Sequence, residues 1–133
     1  MTLSEFMNIY VYAALTNKVD KNDFDSLSDS YKHEFFFVPR IYCKDGFNIS
    51  IQAHHGNYCA SENGVREFGL DWQMVEWGFP SQEIDGKKYN AEDCDNTTET
   101  VGGYVDVDLL NGLLDEHGGI NVLMTLSHAA GLE

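Results

Sequence analysis

His54-His55 and Cys59, with Cys43 upstream and Cys94 in a later acidic stretch, are the residues of this chain whose types suit metal chemistry. Imidazole and thiolate together favour zinc, and a hairpin could bring Cys43 near His54. The spacing argues against it: there is no Cys-x-x-Cys and no His-x-x-x-His, and neighbours such as His54 and His55 on a strand point to opposite faces. Asp93, Asp95 and Glu99 invite comparison with a calcium loop, which needs a glycine at its sixth position and a glutamate at its twelfth. Counted from Asp93, those positions are Thr98 and Tyr104. No metal and no other cofactor is expected. Cys59 with His54 or His55 is the one Cys/His combination close enough in sequence for nucleophilic chemistry. No nucleophile elbow, phosphate-cradling glycine loop or zinc-hydrolase helix accompanies it. Glu116-His117 falls at a helix C-terminus, where the dipole favours a histidine cation and a structural role suffices. The chain is therefore expected not to be an enzyme, with no catalytic residues.

What remains is charge. From Tyr89 onward the chain carries nine carboxylates and no Lys or Arg, and all eight basic residues lie before that point. The whole has 22 acidic residues against 8 basic ones, a net charge of -14 in 133 residues. A nucleic-acid binder needs the opposite sign, so direct binding to DNA or RNA is not expected. Anionic membrane surfaces repel such a chain, and no apolar stretch approaches the length of a membrane span. The apolar run near the N-terminus is broken by Ser4, Glu5 and Asn8 and lacks the basic start of a secretory signal. A soluble, cytoplasmic protein is expected.

With 43% hydrophobic and 13% aromatic residues, the chain is too apolar for a disordered acidic tail, and its length fits one compact domain over residues 1–133. Its three cysteines form an odd set without paired spacing, so reduced thiols are expected rather than a disulfide framework. Leu132 and Glu133 are set aside as a remnant of expression.

The elements follow from caps and periodicity. Thr2-Leu3-Ser4-Glu5 has capping-box spacing, and Leu3, Phe6, Met7, Tyr10, Ala13 and Ala14 form an apolar stripe, predicting a helix over about 3–16. Lys44-Asp45-Gly46 is a turn signal, and Phe47, Ile49, Ile51 and Ala53 alternate with Asn48, Ser50 and Gln52; this predicts a hairpin over about 36–53. Pro39 places the first strand's start nearby or at an edge. A third strand is expected over about 70–77, alternating Trp72 and Met74 with Val75 and Trp77 and stopped by Gly78 and Pro80. Residues 81–100 read as an extended acidic loop. A short strand over about 101–105 follows, with Gly102 and Gly103 where the backbone must bend or be closely approached. Asp106 is an N-cap, with Val105 and Leu110 as a staple, for a late helix over about 107–117 that Gly118-Gly119 stops. Ile120 to Leu126 is apolar enough for a strand or a helix, and its periodicity does not decide which. The sum is a small α+β domain: an antiparallel sheet packed by an N-terminal and a late helix.

Ile41-Tyr42-Cys43-Lys44-Asp45-Gly46-Phe47, then Gly78-Phe79-Pro80-Ser81, then Gly103-Tyr104-Val105 leading to Glu116-His117-Gly118-Gly119-Ile120, resemble a group of short uncharacterised acidic proteins of bacteriophages and prophages. The resemblance covers residues 40 to 120 and rests on turns and caps, so it implies a source and a host-cell cytoplasm rather than a chemistry. By size and charge alone, it brings the chain beside phage-encoded inhibitors of host defence, of the anti-CRISPR or anti-restriction kind, some of which imitate the charge of DNA.

The expected function is that of an acidic binding protein occupying a basic, nucleic-acid-binding surface of a host protein. Asp85, Glu92, Asp93, Asp95 and Glu99 would form that surface, with Asp106, Asp108, Asp115 and Glu116 from the late helix. A competitor of DNA, with roughly one charge per 1.7 Å of duplex, needs several carboxylates on one face. Trp72, Trp77, Phe79 and Tyr104 are the aromatics suited to an interface, and Trp77 is assigned to the partner surface. The alternative is a small homo-oligomeric accessory or assembly protein with an apolar interface, in which acidity only confers solubility.

Overall fold

The computed structural model describes residues 1–7, 38–52, 60–61, 72–91 and 95–131. Within them the chain is the expected small α+β domain, a twisted antiparallel sheet with helices. Strands β1 (Ile41–Tyr42), β2 (Asn48–Gln52), β3 (Ala60–Ser61), β4 (Trp72–Gly78) and β5 (Val101–Asp106) are joined by helices α1 (Leu3–Met7), α2 (Val107–Glu116) and α3 (Val122–Ala129). No helix among the described residues is long and apolar enough to cross a membrane.

The capping box closes as its spacing requires. The Glu5 N–H donates to Thr2 Oγ1 at 3.1 Å, and the Thr2 N–H donates to Glu5 Oε1 at 3.2 Å. Helix α1 buries Leu3, Phe6 and Met7 against α2. Asn111 of α2 accepts the Leu3 N–H at 2.8 Å, so the second helix satisfies a donor that the first cannot. The rest of the predicted N-terminal helix, residues 8–16, lies outside the described residues.

The hairpin turns at Lys44-Asp45-Gly46. Asp45 Oδ1 accepts the Phe47 N–H at 2.8 Å, and Gly46 takes φ +96°, a conformation glycine adopts without steric cost. Ile41 then pairs with Ile49 and Tyr42 with Asn48. Phe47, Ile49 and Ile51 point into the core as their alternation predicts. Gln52 departs from the pattern: it is buried, because its carboxamide accepts from the Val38 N–H at 3.0 Å and donates to the Val38 carbonyl at 2.8 Å, acting as one rung of a missing ladder just before Pro39.

Strand β4 is the centre of the sheet. One edge pairs with β2 through Ile51↔Trp77 and, further along, with β3 through Ala60↔Met74; the other pairs with β5 through Val75↔Val105 and Trp77↔Gly102. Val75 and Trp77 face the helices, while Met74 is exposed on the opposite face. Gly102 of β5 is closely approached, as predicted. A Cβ on Gly102 would stand 2.3 Å from Trp77 Nε1 and 2.6 Å from the Tyr89 carbonyl oxygen, so only glycine fits.

Asp106 caps α2 by accepting the Asp108 N–H at 2.8 Å, and Val107, Leu110, Leu113 and Leu114 are its buried stripe. Gly118 and Gly119 end it with φ +89° and +86°, the Gly119 N–H returning to the Leu114 carbonyl at 2.9 Å in a Schellman-type stop. The ambiguous segment after it divides in two. Ile120 is extended and bridges to Cys43, and Asn121 then accepts the Met124 N–H at 3.0 Å and starts α3. Thr125 of α3 accepts the Tyr42 N–H at 2.9 Å and the Asn121 N–H donates to the Tyr42 carbonyl at 2.7 Å, so the edge of β1 is covered.

Candidate functional site

The carboxylates assigned to the partner surface divide by what holds them. Asp106 spends one oxygen on its cap, while Asp108, Asp115 and Glu116 are exposed along α2. Asp108 and Asp115 are separated by about 10 Å at 1.5 Å per residue. Asp95 and Glu99 are exposed on either side of buried Thr97, and Asp85 is exposed on the turn that follows Ile84. Among the described residues, none of these side chains lies within ion-pair distance of a Lys or Arg. Glu92 and Asp93 lie outside the described residues.

The described parts of residues 81–100 are loop and turn, with one short 3-10 turn at Thr97–Glu99, and they are tied to the sheet rather than standing free. Tyr89 is 3% exposed, its carbonyl accepting the Trp77 indole N–H at 2.7 Å, and Thr97 Oγ1 accepts the Ile84 N–H at 2.8 Å. Asn90, at φ +61°, donates its side-chain amide to the carbonyls of Gly103 (3.2 Å) and Tyr104 (3.1 Å) where β5 bulges. One buried aromatic and three side-chain hydrogen bonds therefore clamp this segment against β4 and β5. The segment also meets α2, and between them is a cleft of about 370 Å³ lined in part by Ile84, Asp85, Lys88, Leu113, Glu116 and His117. Asp85 and Glu116, distant in sequence, thus share one site. So does Lys88, and the separation of acid from base along the chain is not preserved in space. The participation of Lys88, Leu113 and His117 has no signal in residue spacing.

The assignment of Trp77 to the partner surface is corrected. Its side chain is 0% exposed at the centre of the core, because strand alternation places it on the face with Val75 that the helices cover. Among the described residues, Phe79 and Tyr104 are the exposed aromatics, at 52% and 44%, and the Trp72 side chain lies outside them. Both hold left-handed backbone conformations, φ +51° and +53°.

His117 has the structural role expected of a residue at a helix end. Its ring stacks on Phe47 with centroids 4.0 Å apart, and Nδ1 meets Asp45 Oδ2 at 2.7 Å. The Phe47 N–H and then the His117 ring hold the Asp45 carboxyl below its usual range. A carboxyl depressed in the folded state stabilises the fold above its unfolded value, near 4, and loses that contribution as pH falls through the folded value. Asp45→Asn is therefore expected to lower the urea midpoint at pH 7 and to flatten the further fall of stability below about pH 4. An unchanged acid limb in midpoints measured across that range would remove Asp45 from the account.

Cys43 is a free thiol, fully buried, and burial pushes it up to about 12, with the nearby charges of Asp45 and Asp115 adding to the effect. A thiol kept protonated is a poor nucleophile at neutral pH. Among the described residues no group of His, Cys, Asp and Glu is arranged to hold a metal ion, and His54, His55, Cys59 and Cys94 lie outside them. No protein-family model matches the chain, and neither the curated proteins nor the solved structures compared with it include one that is significantly similar.

Proposed function

We propose that the protein is a non-catalytic acidic binding module that occupies a basic, nucleic-acid-binding surface of another protein. In the phage setting that the resemblance implies, the partner is a host protein and the module an inhibitor of it. One observation carries the reading. Asp85, Asp95, Glu99, Asp106, Asp108, Asp115 and Glu116 are all exposed, and among the described residues none is neutralised by a Lys or Arg ion pair. Exposed charge of one sign raises association rates with an oppositely charged surface, and salt removes the gain. Because the carboxylates are spread over both ends of a helix and a separate turn, a broad basic surface suits them better than a narrow groove.

The test is capture from bacterial lysate at low salt, followed by a salt gradient and competition with DNA. Recovery of a nucleic-acid-binding protein that elutes as salt rises and that DNA displaces is the expected result. Neutralising Asp95, Glu99, Asp108 and Asp115 together should weaken that complex about fourfold or more, at about 0.2–1 kcal/mol for each exposed charge. Unchanged affinity with an intact fold would overturn the reading.

A homo-oligomer is a second reading. Val101 lies opposite Gly78 on the sheet face away from Trp77, at 43% exposure, and Phe79 follows Gly78 in the chain. Recovery of the bait alone, with a discrete dimer mass that high salt leaves intact, would favour it.

A further inference from the structure

The cleft between the 82–89 segment and α2 combines two chemistries that seldom share a small space. Leu113 is buried and Ile84 half-buried, which gives the cleft an apolar wall, while Asp85 and Glu116 are exposed carboxylates at its lining. Its volume of about 370 Å³ is at the lower end for a ligand pocket, suited to a single side chain rather than a chain segment. A long cationic side chain has the matching form: an apolar stem that packs on hydrocarbon and a charged head that seeks carboxylate. One cationic side chain already lies at the cleft. Lys88 lines it, with Nζ 5.5 Å from the centroid of the Tyr89 ring that forms part of the wall.

We propose that this cleft is the receptor for an arginine side chain of the basic partner, with Asp85 and Glu116 receiving the guanidinium and Lys88, which is within ion-pair distance of neither carboxylate, acting as a nearby like charge that opposes its entry. The proposal rests on the reading that the partner is basic. Arginine is favoured over lysine because its planar fork can engage two carboxylates at once and is more weakly hydrated. Lys88 then sets a threshold: its charge repels any incoming cation, and a guanidinium that engages two carboxylates offsets that repulsion better than an amine does.

The experiment is titration of the full chain with a short arginine-only peptide at low salt, followed by calorimetry and by the amide NMR shifts of Leu113 and His117. Asp85→Asn with Glu116→Gln removes two charges at the cleft; Asp95→Asn with Glu99→Gln removes two elsewhere and serves as the matched control. The first pair is expected to weaken binding about tenfold and the second no more than about threefold. Lys88→Gln, which removes the like charge at the cleft, should tighten binding about threefold, more than one fewer repulsion at an exposed remote site such as Lys44→Gln would give. Equal losses from the two double variants, or no tightening in Lys88→Gln, would overturn the cleft as receptor while leaving the basic-partner reading in place. No binding of the peptide by the unaltered protein would overturn both. Thermal melts of each variant confirm that these exposed substitutions leave the fold intact.

Discussion

Replacing Trp77 by Ala is expected to cost about 3–5 kcal/mol, a large share of the roughly 5–15 kcal/mol total stability typical of a domain. Trp77 comes first by volume among the described side chains with no solvent exposure. It lies between Ile51 of β2 and Gly102 of β5, so its ring is in contact with the core at the one place where the three central strands meet. Its indole N–H also satisfies the Tyr89 carbonyl at 2.7 Å, which ties the 81–100 segment to the sheet. Trp77→Phe separates the two contributions. It keeps most of the apolar volume and leaves the Tyr89 carbonyl unpaired, a loss of about 1–3 kcal/mol. Urea titration followed by far-UV circular dichroism measures both, and a Trp77→Ala midpoint close to that of the unaltered protein would show that the ring is not the keystone of this core.

Gly102→Ala is the second large effect, expected near or above the upper end of the usual overpacking range, about 3 kcal/mol. The added methyl would meet Trp77 Nε1 at 2.3 Å, Trp77 Cε2 at 2.5 Å and the Tyr89 carbonyl oxygen at 2.6 Å. Two of these belong to a rigid buried ring and the third to backbone, so no flexible tip can move aside. Because the clash is largely with Trp77, the two substitutions should couple: Gly102→Ala ought to cost less in a Trp77→Ala background, with the Tyr89 oxygen contact keeping part of the penalty. Strict additivity in a double-mutant cycle would place the strain elsewhere.

The features of this fold written in short-range sequence emerged where expected. Thr2 with Glu5, Asp45-Gly46, Asp106 and Gly118-Gly119 act through hydrogen bonds that span at most five residues, so residue type and spacing suffice to place the helix and hairpin ends. Alternation through Phe47, Ile49 and Ile51 identified the buried face of β2 because strand periodicity is local. It failed at Gln52, whose partner is the Val38 backbone and whose burial no polarity pattern reveals. Ile120 to Leu126 was undecidable for a related reason: its helix begins only where Asn121 finds its cap and where the edge of β1 offers Tyr42 to Thr125.

By itself, then, the sequence determined the caps, the turn, the class of the fold and an excess of negative charge, all of which are sums or short-range patterns. Only the tertiary structure decided what those charges share a site with. Asp85 and Glu116 meet at one cleft, Lys88 joins them there, and Trp77 passes from supposed surface anchor to buried core. The reason is geometric: a charge or a ring acts over a few ångströms of space, and the separation of acid from base along a chain is lost when an indole hydrogen bond ties one segment to the sheet and that segment also lines a cleft with a distant helix.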